Sequence, residues 1–223
     1  MEEHKRHEET VQPGQSALLP RWPAAVALLT VGVLYAVLSE GLSLGPRAFV
    51  PALVAVLLVP LMTAHLRGSH RLARRISFGV IGFVTIAVVV SAFLLVSSAL
   101  RVGTSAPALL RDAALLWIIN VVTFSVWYWE TDGGGPARRR REGHRSEDFL
   151  FPQMNLGGGV ARGWSPGFLD YLFLAFNTST AFSPTDTAVL SGKAKVLMIM
   201  QALLSLVILA VLVSRAINAL AAA

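Results

Sequence analysis

The chain reads as an all-α polytopic membrane protein of five or six transmembrane helices, with a short pore-helix-like segment before the last span. Three observations predict this. Of 223 residues, 54% are hydrophobic and only 14% charged, a balance foreign to water-soluble domains. The apolar residues gather in uncharged runs of roughly 17 to 23 residues, close to the length that crosses a hydrocarbon core. The arginines lie mostly between these runs, as the loops of a multi-pass protein require.

Residues 1–21 mix both charges with Pro13 and Gly14 and show no apolar period, which predicts a disordered cytoplasmic tail. The first span is Trp22 to Ser39. No small-x-small cleavage pattern accompanies it, so it is expected to be retained rather than removed as a signal peptide. A turn with Gly41, Gly45 and Pro46 leads to the second span, Ala48 to Ala64. Pro51 falls in its first turn, where a missing N–H matters little, and Pro60 falls inside, where a kink is expected. Residues 65–77 carry Arg67, Arg71, Arg74 and Arg75 and read as a cytoplasmic loop. The third span, Phe78 to Leu100, has Gly79 and Gly82 for close helix approach. The fourth, Ala113 to Trp129, carries Asn120 and Thr123 on one face, expected to point into the bundle because an amide in lipid needs a partner. Trp127, Tyr128 and Trp129 read as an interfacial aromatic belt. Residues 22–129 thus form a four-helix transmembrane region.

Residues 130–163 form a polybasic, glycine-rich cytoplasmic loop. Arg138, Arg139, Arg140 and Arg141 suit anionic lipid headgroups, and the glycine runs read as linkers. The loop shows no phosphate-binding spacing, no His–carboxylate ligand pattern and no nucleophile with a base. No enzyme, metal or cofactor is expected. The chain has no cysteine, which excludes disulfides and thiolate ligands. The net charge of +6 comes from inter-span arginines explained by topology, so no nucleic-acid partner is expected.

Residues 164–223 are a pore-loop-like segment plus the last transmembrane helix. A short apolar run, Gly167 to Phe182, turns hydroxyl-rich at its end, a proline-broken polar turn follows, and Val196 to Ser214 is uncharged. Non-helical backbone at membrane depth survives only where protein buries it or water wets it. The candidate solute contacts are therefore Asn177, Thr178, Ser179, Thr180, Phe182 and Asp186. Gln201 and Ser205, four residues apart on one face of the last helix, are expected to face the turn.

Two runs carry resemblances. Phe176, Thr178, Thr180 and Asp186 in AFNTSTAFSPTD resemble the F-x-T-x-T-T-V-G-Y-G-D pore signature of the potassium-channel superfamily. The filter glycines are replaced by Phe182-Ser183-Pro184-Thr185, so a potassium filter of that kind is not expected. More closely, Asp148-Phe149-Leu150-Phe151-Pro152, Asp170 to Phe176 and Thr180 to Asp186 resemble a bacterial family of integral membrane proteins of unknown function. That resemblance implies a membrane location and no activity.

Charge decides the expected orientation. With the N-terminus in the cytoplasm and four alternating spans, thirteen basic residues fall inside and three outside before the last segment, which favours N-in at the inner (plasma) membrane. Two endings stay open. If 167–182 crosses, there are six spans; if it re-enters from the cytoplasm, there are five. The leading functional expectation is a channel-like or permease-like homo-oligomer passing a small cation or polar solute with low potassium selectivity. The alternative is a non-conducting scaffold or sensor.

Overall fold

The computed structural model describes residues 22–67, 69–101, 105–142, 147–155, 164–180 and 186–221. Its helices are α1 (Trp22–Val37), α2 (Phe49–Leu66), α3 (His70–Ala99), α4 (Ala106–Thr131), α5 (Pro136–Glu142), α6 (Pro152–Asn155), α7 (Phe168–Thr180) and α8 (Gly192–Ala221). Two short antiparallel strands, β1 (Phe149–Leu150) and β2 (Ala188–Val189), pair Phe149 with Val189 and Leu150 with Ala188. Arg71–Ala99, Ala106–Gly134 and Gly192–Asn218 are long and apolar enough to cross a membrane, and Pro23–Val37 and Phe49–Ala64 are shorter apolar helices. The all-α membrane architecture is as the sequence implies.

Helix α4 is the axis of the bundle. It packs against α1, α3, α7 and α8 and buries residues on every side, from Leu109 and Leu116 to Phe124 and Trp129. Helix α8 is inverted relative to a soluble helix. It buries Ala194, Gln201, Ser205 and Ile208 and exposes Val196, Ile199, Leu203, Leu206, Val213 and Ile217. Polar residues inside and apolar ones outside is the distribution that hydrocarbon surroundings select.

The two ends of the bundle are held differently. At one end, Tyr35 and Ser91 share a hydrogen bond of 2.7 Å, the Tyr35 hydroxyl accepts from Leu44 N at 2.9 Å, and Arg111 donates to Ser39 Oγ and Asp112 Oδ1, both at 2.9 Å. Arg215 of α8 donates to the Ala99 carbonyl there. At the other, the long-loop end, lie the start of α1, the α2–α3 connection, the end of α4, α5, the β1–β2 pair and the start of α8.

Several sequence expectations are corrected here. The helix of the third span begins at His70, so Arg71, Arg74 and Arg75 ride on α3 rather than in a loop. α4 begins seven residues earlier than Ala113, with Pro107 in its first turn, where its missing N–H is tolerated. Pro60 does lie inside α2. Tyr128 and Trp129 are buried at 0% and 1% exposure, so they are core residues and not an interfacial belt. Gly79 and Gly82 have open space where a Cβ would stand. The close helix approach falls instead at Gly32, where a Cβ would lie 3.6 Å from Pro51 Cα. The predicted tail and the turn residues 181–185, Phe182 among them, lie outside the described residues.

Candidate functional site

Helix α7 is apolar at its start and hydroxyl-rich at Thr178, Ser179 and Thr180. Asp170 stands in its first turn and accepts from Gly167 N at 2.7 Å, capping an N-terminal donor. Tyr171, Leu174, Ala175 and Ser179 face inward, at 3.6-period spacing, while Leu169 and Phe173 face outward. Phe168 packs edge-on to Trp129 at the long-loop end. Phe176 packs on Trp117, well up α4. Thirteen residues rise only about 20 Å, and eight residues after Thr180 the chain is back in β2, paired with β1 at the long-loop end. The start of α7 and strand β2 thus both lie at the long-loop end.

The tip of α7 is clamped by a buried polar network. Gln201 of α8 uses its whole amide: Nε2 donates to the Ala175 carbonyl at 2.8 Å and to Ser179 Oγ at 2.7 Å, and Oε1 accepts from the Tyr128 hydroxyl. Ser205 donates to Ser179 at 3.0 Å and accepts from Asn120 Nδ2 at 2.7 Å. Asn120, Ser179, Gln201 and Ser205 are all at most 2% exposed. Ser179 of α7 thus bonds to Gln201 and Ser205 of α8, which also bond to Tyr128 and Asn120 of α4, so most of these buried polar atoms have partners. Asn120 Oδ1 and Thr123 Oγ1 are buried without a hydrogen-bond partner beside it.

A second cluster closes the long-loop end. Gly133, Gly134 and Gly135 take φ of 54°, 79° and 93°, a left-handed run that side chains resist, and this folds α5 back under α4. Arg139 is then buried at 3% exposure. It donates through Nη1 to the carbonyls of Trp129, at 2.9 Å, and Asp132, and its guanidinium lies over the rings of Trp129 and Tyr171 at 4.7 and 5.3 Å. Asp132 accepts from the Tyr171 hydroxyl at 2.5 Å and from Phe149 N at 3.3 Å. Asp148 accepts from Gly133 N at 3.0 Å and pairs with Lys193 at 3.0 Å. Two buried carboxylates thus sit among two cations and backbone donors, the condition under which buried charge is tolerated.

The predicted contact residues divide. Ser179, Gln201 and Ser205 converge on the clamp. Thr178 donates to the Leu174 carbonyl at 2.8 Å and Thr180 to the Asn177 carbonyl at 3.2 Å, both within α7. Asn177 is half-buried, and Asp186 is exposed two residues before β2. Of the arginines expected at lipid headgroups, Arg138 is partly exposed and bridges Glu147 at 3.0 and 2.8 Å. Arg139 leaves that set, because its side chain is buried against internal carbonyls and rings, with Nη1 bonded and Nε and Nη2 unpartnered. The positions of Arg140 and Arg141 lie on α5, and their side chains are outside the described residues.

Sequence reasoning missed Tyr128, Asp132, Arg139 and Tyr171 as partners in these clusters. A signal was present: the runs around Asp148 and Tyr171 that carry the family resemblance are the ones that meet. Tyr171 packs edge-on to Phe149 and Phe151. Among the described residues, no group of three or more acidic or histidine side chains is placed to hold a metal. No family model, curated protein or solved structure matches the chain.

Proposed function

We propose that this is a channel-like or permease-like multi-pass membrane protein. In this reading five helices cross the bilayer and 168–189 forms a re-entrant hairpin entered from the cytoplasmic long-loop face. The observation that carries it is that β2, eight residues after Thr180, pairs with β1 at the long-loop end, where α7 also begins. Backbone that turns at membrane depth needs burial or water, and re-entrant segments are a recurrent way to build a permeation path. Helix α4 fills the centre of the bundle, so a path beside the hairpin needs a second wall. Further copies of the chain supply it. Asp186, exposed at the long-loop end, is the cation-attracting charge at the mouth.

Two experiments test this. Cysteines placed singly at Gly143 and Asp186 of this cysteine-free chain should react with an impermeant thiol reagent only after cells are opened, and one at Asn218 should react in intact cells. Asp186 labelling from outside would mean that α7 crosses. In proteoliposomes, Asp186→Asn should lower cation flux several-fold and Thr180→Val should lower it less. Absence of flux at both voltage polarities would remove the pore assignment.

A second reading has its own support. The hydroxyls of Thr178, Ser179 and Thr180 are all bonded inside the protein, which suits a non-conducting scaffold or sensor with a sealed hairpin. It expects a protein that folds and assembles without passing any solute.

A further inference from the structure

At the long-loop end a cleft of about 500 Å³ opens between α1, α2 and the α3–α4 pair. Leu28, Ala55 and Leu58 line its apolar walls. Leu29, Val59 and Met62 also line it, and they are 48%, 63% and 52% exposed, so the cleft opens sideways onto the apolar belt of the protein. Its polar end is made by Arg74, Ser77, Glu130 and Trp129 beside the backbone of Gly134 and Gly135.

The polar atoms there are unevenly matched. Arg74 Nε and Trp129 Nε1 are buried donors with no hydrogen-bond partner. The Arg74 guanidinium lies over the Phe78 ring at 5.3 Å and makes no hydrogen bond or ion pair among the described residues. Glu130, the carboxylate of the cleft, accepts from Ser77 Oγ at 3.4 Å. Arg71 and Arg75 stand exposed on the same turn of α3 as Arg74. An apolar slot open to the side and ending at an unpaired cation near a helix end is complementary to an amphiphile with an acidic head.

We propose that this cleft binds one acyl chain of an anionic phospholipid, entering sideways from the bilayer, with a headgroup phosphate oxygen accepting from Arg74. The walls call for the tail, which free phosphate lacks. The unpartnered buried Arg74 Nε calls for an acceptor, and the exposed Arg71 and Arg75 on the same turn favour a negative head. Lipid binding here does not depend on flux through the hairpin.

The test uses the full chain in nanodiscs. A phosphatidylglycerol carrying a photoreactive acyl chain should label α1 and α2 residues of the cleft, and unlabelled phosphatidylglycerol should compete roughly five- to tenfold better than phosphatidylcholine of the same chains. Arg74→Gln should remove most of that preference, and Arg138→Gln should leave it unchanged. Ala55→Phe should weaken both lipids by filling the slot, with retention of the native thermal transition checked in each variant. Labelling confined to α8, equal competition by the two lipids, or suppression by inorganic phosphate alone would overturn the assignment. Because the labelling and competition arms use the unaltered protein, they hold even where a variant fails to fold.

Discussion

Gln201→Leu should lower the stability of the detergent-solubilised protein by about 2 kcal/mol, the largest effect of any single change in the α4–α7–α8 clamp. Interhelical hydrogen bonds inside membrane proteins average about 0.6 kcal/mol and reach about 1.7 kcal/mol each. Gln201 makes three with its side chain, to Ala175, Ser179 and Tyr128. Leucine fills much of the same volume, so the loss comes from the polar partners left behind. The Tyr128 hydroxyl is fully buried and would lose its acceptor in Gln201. Asn120→Leu removes a short bond to Ser205 and a long one, 3.5 Å, to the Gln201 carbonyl, and should cost about 1 kcal/mol. A double-mutant cycle of Gln201→Leu with Ser179→Ala should show coupling, since the two side chains touch. Additive effects would mean that the clamp is a set of separate contacts. The clamp also bears on function, because its hydrogen bonds to Ala175 and Ser179 tie the C-terminal half of α7 to α8. Releasing it should raise the thiol reactivity of single cysteines at 181–185 while leaving Gly143→Cys unchanged.

The apolar runs were legible because hydrophobic length is a one-dimensional signal that tertiary packing does not alter. Helix ends were less so. Arg71, Arg74 and Arg75 looked like loop residues by charge, yet α3 continues through them, since arginine is a good helix former and its long stem reaches water from a helix end. Tyr128 and Trp129 looked interfacial by type. The structure buries Trp129 under Arg139, which the glycine turn at 133–135 brings over it, and Tyr128 against Gln201 and Phe149. That fold-back depends on three left-handed glycines which, in the sequence, resemble an ordinary linker. Gln201 and Ser205 were legible as a pair because four residues on a helix share a face. Their partners on α4 were not, since nothing in a single sequence gives the register between two helices eighty residues apart. The pairing of β1 with β2 is two residues long and carries no strand pattern that a window could detect.

Arg139→Leu should destabilise the protein by about 3 kcal/mol, and Arg139→Lys should recover only part of the loss. The guanidinium donates to the carbonyls of Trp129 and Asp132, where α4 ends and its last carbonyls lack helical donors. Each bond from a charged donor is worth about 1.5–3 kcal/mol, and the stacking on Trp129 and Tyr171 adds about 1 kcal/mol. Desolvation of the charge offsets part of this sum. Leucine removes the donors and leaves Asp132 and Asp148, both buried, with Lys193 and backbone N–H groups to balance them. Lysine keeps the charge, but its ammonium cannot lie flat on two rings while it reaches both carbonyls. The loss should appear as a lowered unfolding midpoint in mild detergent. It should fall most on the long-loop end, where hydrogen exchange at Phe149 and Val189 would quicken before that of α3. Arg138→Gln, which breaks the partly exposed pair with Glu147, should change stability by less than about 1 kcal/mol. An Arg139→Leu variant as stable as the parent but weaker in anionic-lipid binding would return this side chain to the surface role that its place in a four-arginine run suggests.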